Sequence, residues 1–237
     1  MQIAVVNRSA LSDADVSFMA EACDAQVIEC AAAWGVDPTP VAFYATADGL
    51  PAVECRIMLI VDQIDVPGAA GYHDDDLGVI FGRVLNQGPV DTCVTLSHEC
   101  LEMLIDPTCT EWRSFGGGRQ VALEVCDPVQ ADTYAVQAEV AGDSRQMLLS
   151  NYVTPRWFDP AGVGLFDRLG RLQAPLSMSS GGYLILREKD GEWINVFGRT
   201  RAGDMGGRLN LASKIARPGS RTLRRLRDQK DGSGAPG

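Results

Sequence analysis

The sequence predicts an α+β fold: a mixed sheet with an N-terminal helix, a second motif-bearing helix, and a C-terminal β-hairpin. Three observations carry this. Residues 12–34 repeat apolar side chains at helical spacing between a capping Ser12 and a terminating Gly35. Val41–Thr46 and Cys55–Val61 are β-rich runs without helical period. YLILRE and EWINVFG flank Lys189-Asp190-Gly191, a hairpin signature. With 237 residues, 46% of them hydrophobic and 22% charged, the chain can bury roughly 70–75% of its unfolded surface, so folding requires neither disulfide nor metal.

In chain order, QIAVV at residues 2–6 reads as a buried strand. The first helix places Val16, Met19, Cys23, Val27 and Cys30 on one stripe. Cys55–Val61 is almost wholly apolar, which predicts a central strand. Gly68–Asp76 reads as a polar loop, and Gly78–Leu85 alternates like a strand. Thr95 or Ser97 opens the second helix, and Asp106-Pro107 ends it, because a residue before proline avoids the α region. Val121–Val125 is extended, and Thr133–Tyr152 forms two extended runs around Gly142-Asp143. Residues 155–180 are irregular. The expected organisation is one domain over residues 1–200 and a basic, mobile tail over 201–237.

The net charge of −10 is uneven. From Ser213 to Gly237 there are seven basic residues against two acids, giving +5, so residues 1–212 carry −15. An acidic body repels nucleic acid, which leaves the tail as the only segment suited to it. The seven cysteines form no CxxC pair, and MQIAVVNRSA has neither a basic n-region nor a long apolar core. Reduced thiols in a cytoplasmic setting are the expectation. No stretch reaches 18 apolar residues, so no membrane span is expected.

Only His73 and His98 stand against thirty-one acids, which excludes a three-histidine metal cage and an HExxH helix. The informative run is Thr95-Leu96-Ser97-His98-Glu99-Cys100-Leu101-Glu102. On a helix His98 and Glu102 lie one turn apart and project side by side, a spacing that grips one small ion. Glu99 sits about 100° round the helix, beside such an ion. In HExxH zinc peptidases the glutamate after the first histidine is the general base acting on metal-bound water. Here glutamate replaces the second histidine, which suits zinc and widens the choice to manganese or iron. Glu124 is the preferred third ligand, with Asp127 as a supporting carboxylate; the reverse assignment, and Asp106 one turn beyond Glu102, stay open. The plain alternative is a core histidine bonded to Glu102 or Glu124, since Val94, Leu101 and Ile105 share its stripe.

GYHDDD, VTLSHECLEMLIDP, ALEVCDPVQADTY, SNYVTPRWFDP and GGYLILREKDGEW, in that order over residues 68–198, resemble a family of uncharacterised bacterial and tailed-phage proteins. That family resembles a divergent zincin. The resemblance implies a zincin-like fold and a zinc peptidase-like site at His98, Glu99, Glu102, Asp106, Glu124 and Asp127. In such a fold Gly78–Leu85 would be the edge strand that holds an extended peptide, with His73, Tyr72 or Tyr152 stabilising an oxyanion. Trp157-Phe158 is either a pocket wall or core, and Cys100 points away from His98 into packing. The expected activity is a metal-dependent, peptidase-like hydrolase acting on a peptide or protein, located in the cytoplasm of a bacterium or phage host, or in the virion. The alternative is a non-catalytic structural or binding protein of a phage particle or bacterial assembly.

Overall fold

The computed structural model describes residues 1–50, 55–76 and 78–198, and the backbone of 208–210. The first sheet is built from β1 (Gln2–Arg8), β2 (Val41–Tyr44), β3 (Cys55–Val61), β4 (Gly71–Asp76) and β5 (Val79–Leu85), in the order β2-β1-β3-β5-β4. β1, β2, β3 and β5 run parallel, and β4 returns antiparallel along β5. As its apolar run predicts, β3 is central. GYHDDD forms β4 rather than a loop, and β4, not Gly78–Leu85, is the edge. Its polar letters hide a strand because four of its six residues face protein: Gly71, Tyr72, His73 and Asp74 are buried.

Helix α1 (Asp13–Trp34) begins and ends where its signals place it. Ser12 Oγ accepts from the Asp15 amide, and Gly35 closes the helix with φ 66°. Helix α2 (Pro89–Ile105) starts six residues earlier than Thr95, capped by Gly88 with proline at its first position, and ends at Asp106. The two helices pack on each other and on the same sheet, α1 over β1 and β2, α2 over β4 and β5. Buried Arg56 on β3 donates to the Met103 carbonyl in the last turn of α2, where a cation complements the helix dipole.

The second half covers the helices. Hairpin β8 (Thr133–Val140) and β9 (Asp143–Ser150) lies across both. Ser97 Oγ on α2 accepts from the Ser150 amide at 2.8 Å, tying β9 to the motif helix. A second sheet runs β12-β11-β10-β7-β6 from β6 (Trp112–Gly116), β7 (Arg119–Ala122), β10 (Tyr183–Arg187), β11 (Trp193–Phe197) and β12 (Arg208–Asn210). The C-terminal hairpin is β10–β11 as predicted, whereas β7 stops at Ala122 and leaves 123–125 outside any strand. Apart from the β12 backbone, the expected tail lies outside the described residues. One buried apolar cluster extends from Ile3 through both helices to Leu186. Trp157 belongs to it: fully buried, edge-on to Phe158, with Nε1 donating to Ser177 O at 2.7 Å. The pair is core and not a pocket wall. Cys100 is likewise buried in packing against Cys23. All seven cysteines are free thiols. Among the described residues no helix is long and apolar enough to cross a membrane.

Candidate metal centre

The last two turns of α2 present His98, Glu99 and Glu102 toward the turn that follows β7. His98 Nε2 lies 3.2 Å from Glu102 Oε1 and 3.3 Å from Asp127 Oδ1. One ligand atom from each of the three falls within 4.8 Å of the others, so the trio can hold a metal ion. Asp127 therefore completes the group that Glu124 was expected to complete. Glu124 is buried and falls in no such group among the described residues; it lies near the Cys109 thiol and the Tyr183 hydroxyl. The reason is local geometry. Residues 123–126 leave the strand, and the short 3-10 turn Asp127–Val129 carries Asp127 back over α2. The Cys126 amide donates to Glu102 Oε1 at 3.3 Å and fixes that carboxylate from the same turn.

Two features favour a cation between these groups. A single proton on Nε2 can point at one oxygen, yet two approach at nearly equal distances, both longer than the 2.7–2.9 Å of an ordinary charge-assisted bond. Bonds of about 2.0–2.1 Å in a tetrahedral site set ligand atoms roughly 3.3–3.4 Å apart, close to the spacing seen. Asp127 Oδ2 is also buried without a hydrogen-bond partner, an expensive state for a carboxylate oxygen. A neutral imidazole with two carboxylates balances one divalent ion.

Without a cation, protons hold the trio together. Burial alone would lower the His98 pKa, but the Glu102 and Asp127 carboxylates outweigh it and hold the imidazole well above its usual range. Burial raises Glu102, and the His98 charge more than reverses this, leaving it below the ordinary carboxylate value. Asp127 is pushed up to about 6, by burial first and by the Glu102 charge second. Only His98 reaches solvent appreciably, at 15% of its side chain against 2% and 3% for its partners.

The other expected residues are placed as follows. Glu99 is buried beside the trio, with Oε2 3.1 Å from His73 Nδ1. Asp106 falls in no such ligand group among the described residues; its carboxylate accepts the amides of Thr110 at 3.1 Å and Glu111 at 2.8 Å, closing the turn after α2. His73 is fully buried, with Nε2 3.1 Å from the Asp106 carbonyl, so it has no approach to a substrate oxyanion. Tyr72 donates to Asp65 Oδ1 at 2.8 Å, away from the trio. Tyr152 is buried near Cys30, Glu29 and Arg168, also outside it.

Sequence reasoning missed Tyr183 and Gly182. The Tyr183 hydroxyl lies beside Asp127, and its pKa is pushed well up by burial and then by that carboxylate. Gly182 lets the chain pass so closely that a Cβ there would sit 2.0 Å from Pro128 O. The GGY run stands among the motif blocks, but spacing alone gives neither residue a place at the site. No family model, no curated protein and no solved structure matches the chain.

Proposed function

We propose that the chain is a divalent-metal-dependent hydrolase of peptide-like bonds, with zinc held by His98, Glu102 and Asp127. The observation that carries this reading is the convergence of two carboxylate oxygens on one imidazole nitrogen at the spacing of a tetrahedral ligand set. The donor set of one nitrogen and two oxygens suits zinc and also admits manganese or iron. Zinc bound there would act as a Lewis acid and lower the pKa of a coordinated water. Glu99, one residue from His98 and with a carboxylate oxygen within 4.8 Å of that of Glu102, takes the proton of the attacking water.

Burial favours a second reading. Catalytic sites keep an open position and structural ones are closed, and here three of the four named side chains are almost wholly covered. The ion would then brace a structural or binding protein of a phage particle or bacterial assembly. Elemental analysis of purified protein, with Glu99→Gln alongside wild type, separates the readings. The hydrolase reading expects about one ion per chain in both and peptide cleavage by wild type alone. Bound ion with no Glu99-dependent turnover against a peptide library supports the structural reading, and an ion-free native protein overturns both metal readings.

A further inference from the structure

A second buried group lies against the first. His73 on β4, Glu99 and Glu102 also bring one ligand atom each within 4.8 Å of one another, and Glu102 belongs to both groups. We propose that His73, Glu99 and Glu102 form a second divalent-cation site, joined to the first through Glu102 as a shared carboxylate. The proposal rests on the reading above for the first ion and extends it to a two-ion centre.

The histidine is set up as a ligand. A carbonyl oxygen only accepts, so the 3.1 Å contact from His73 Nε2 to Asp106 O requires a proton on Nε2. This fixes the tautomer and turns Nδ1 to Glu99 Oε2 at 3.1 Å. Metal-binding histidines are oriented in this way, one nitrogen on a backbone carbonyl and the other toward the ion. Cys109 closes the far side of the ring, with Sγ 3.1 Å from Nε2 and 3.4 Å from the His73 carbonyl. It does so at φ 53°, a conformation that non-glycine residues keep only where their surroundings enforce it.

The carboxylate is directed as closely. A Cβ on Gly71 would lie 2.6 Å from Thr95 Cγ2 and 3.2 Å from Glu99 Oε1. β4 therefore runs hard against α2 at the residue that shares the second group.

Charge points the same way. Glu99, Glu102, Glu124 and Asp127 are all buried, with two imidazoles among them. Four buried carboxylates against two imidazoles leave negative charge that divalent cations would offset in low-dielectric surroundings.

The second ion shares the Glu102 carboxylate with an ion already bound and is repelled by it, so it binds more weakly than the first. By engaging Glu99, its occupancy withdraws that residue from the water in the one-ion mechanism. High zinc should then inhibit the hydrolysis proposed above.

The test is zinc titration of the chelator-stripped full chain, read by calorimetry and by elemental analysis after gel filtration. Wild type should bind about two equivalents of unequal affinity, and His73→Gln about one. Since His73 is fully buried and its substitution can disturb folding, wild type loaded with two equivalents of Mn2+ gives an independent readout. Its electron paramagnetic resonance spectrum should show a spin-coupled pair. A single equivalent in wild type that Asp127→Asn abolishes and His73→Gln keeps, with an uncoupled Mn2+ signal, overturns the second site and leaves the first standing. No bound zinc overturns both.

Discussion

Gly182→Ala tests whether the chain entering β10 sets the position of Asp127. The added methyl would meet Pro128 O at 2.0 Å, Pro128 C at 2.6 Å and Asp127 O at 3.2 Å. The obstruction is backbone, and that backbone is held from elsewhere: Ser179 N donates to Pro128 O at 3.0 Å, and Gln130 Nε2 donates to Gly181 O at 2.7 Å. Rotamer changes cannot relieve the overlap, so the 127–129 turn or β10 must move. Overpacking costs about 1–3 kcal/mol, and a backbone clash belongs at about 3 kcal/mol. For a chain of this size each kcal/mol shifts the melting temperature by roughly 2–4 °C, so a fall of about 6–12 °C is expected in the metal-free protein. Displacing Asp127 should also weaken zinc binding by about 10–100-fold. Gly49→Ala is the control: its nearest contact would be Tyr44 Cδ1 at 3.8 Å, and a change within about 0.5 kcal/mol is expected. Calorimetric melts with chelator and zinc titrations read both effects. If Gly182→Ala melts and binds zinc as wild type does, the turn is not positioned by this contact and the reasoning fails.

Asp106→Ala should lose about 1–3 kcal/mol, because two amides lose their acceptor, while zinc stoichiometry stays unchanged; loss of the ion in a folded variant would return Asp106 to the ligand set. Trp157→Ala should destabilise by about 3–5 kcal/mol in denaturant titration, as expected of a fully buried ring, whereas a near-neutral result would make it a pocket wall after all. The metal-free protein should lose stability as pH rises. The Asp127 contribution, present below its ordinary value near 3.8, is lost through about 6. That of His98, present below 6.5, is lost through its higher folded value. Glu102, held low, acts in the opposite sense only below about 4.5, where stability falls as pH drops. Zinc needs a neutral imidazole and an ionised Asp127, so its stabilisation should grow as pH passes 6. Melts across pH 5–8 with and without zinc check this, and a pH-independent zinc effect would count against it.

How much of this is legible in the sequence varies with the physics of each element. Helix α1 is written in local signals, the Ser12 cap and the Gly35 stop, which act without the rest of the fold. The start of α2 was equally local, Gly88 followed by Pro89, but a cap without a side-chain acceptor is a weak signal beside Thr95 and Ser97. β4 is opaque because its buried residues include His73, whose partners Glu99 and Asp106 lie 26 and 33 residues away. The helical pair His98 and Glu102 follows from one-turn spacing alone. Between Glu124 and Asp127 spacing offers no decision; the 3-10 turn at Asp127, pressed by Gly182 more than fifty residues downstream, decides it. His73 finds its place for the same reason, since only the pairing of β4 with β5 brings it to α2.

The most direct test of the metal centre is a crystal structure of the zinc-loaded full chain, with anomalous diffraction collected at the zinc edge. A peak about 2.0–2.2 Å from His98 Nε2 and from carboxylate oxygens of Glu102 and Asp127 is the predicted result. Absence of a peak there, or a peak whose ligands exclude Asp127, would contradict it.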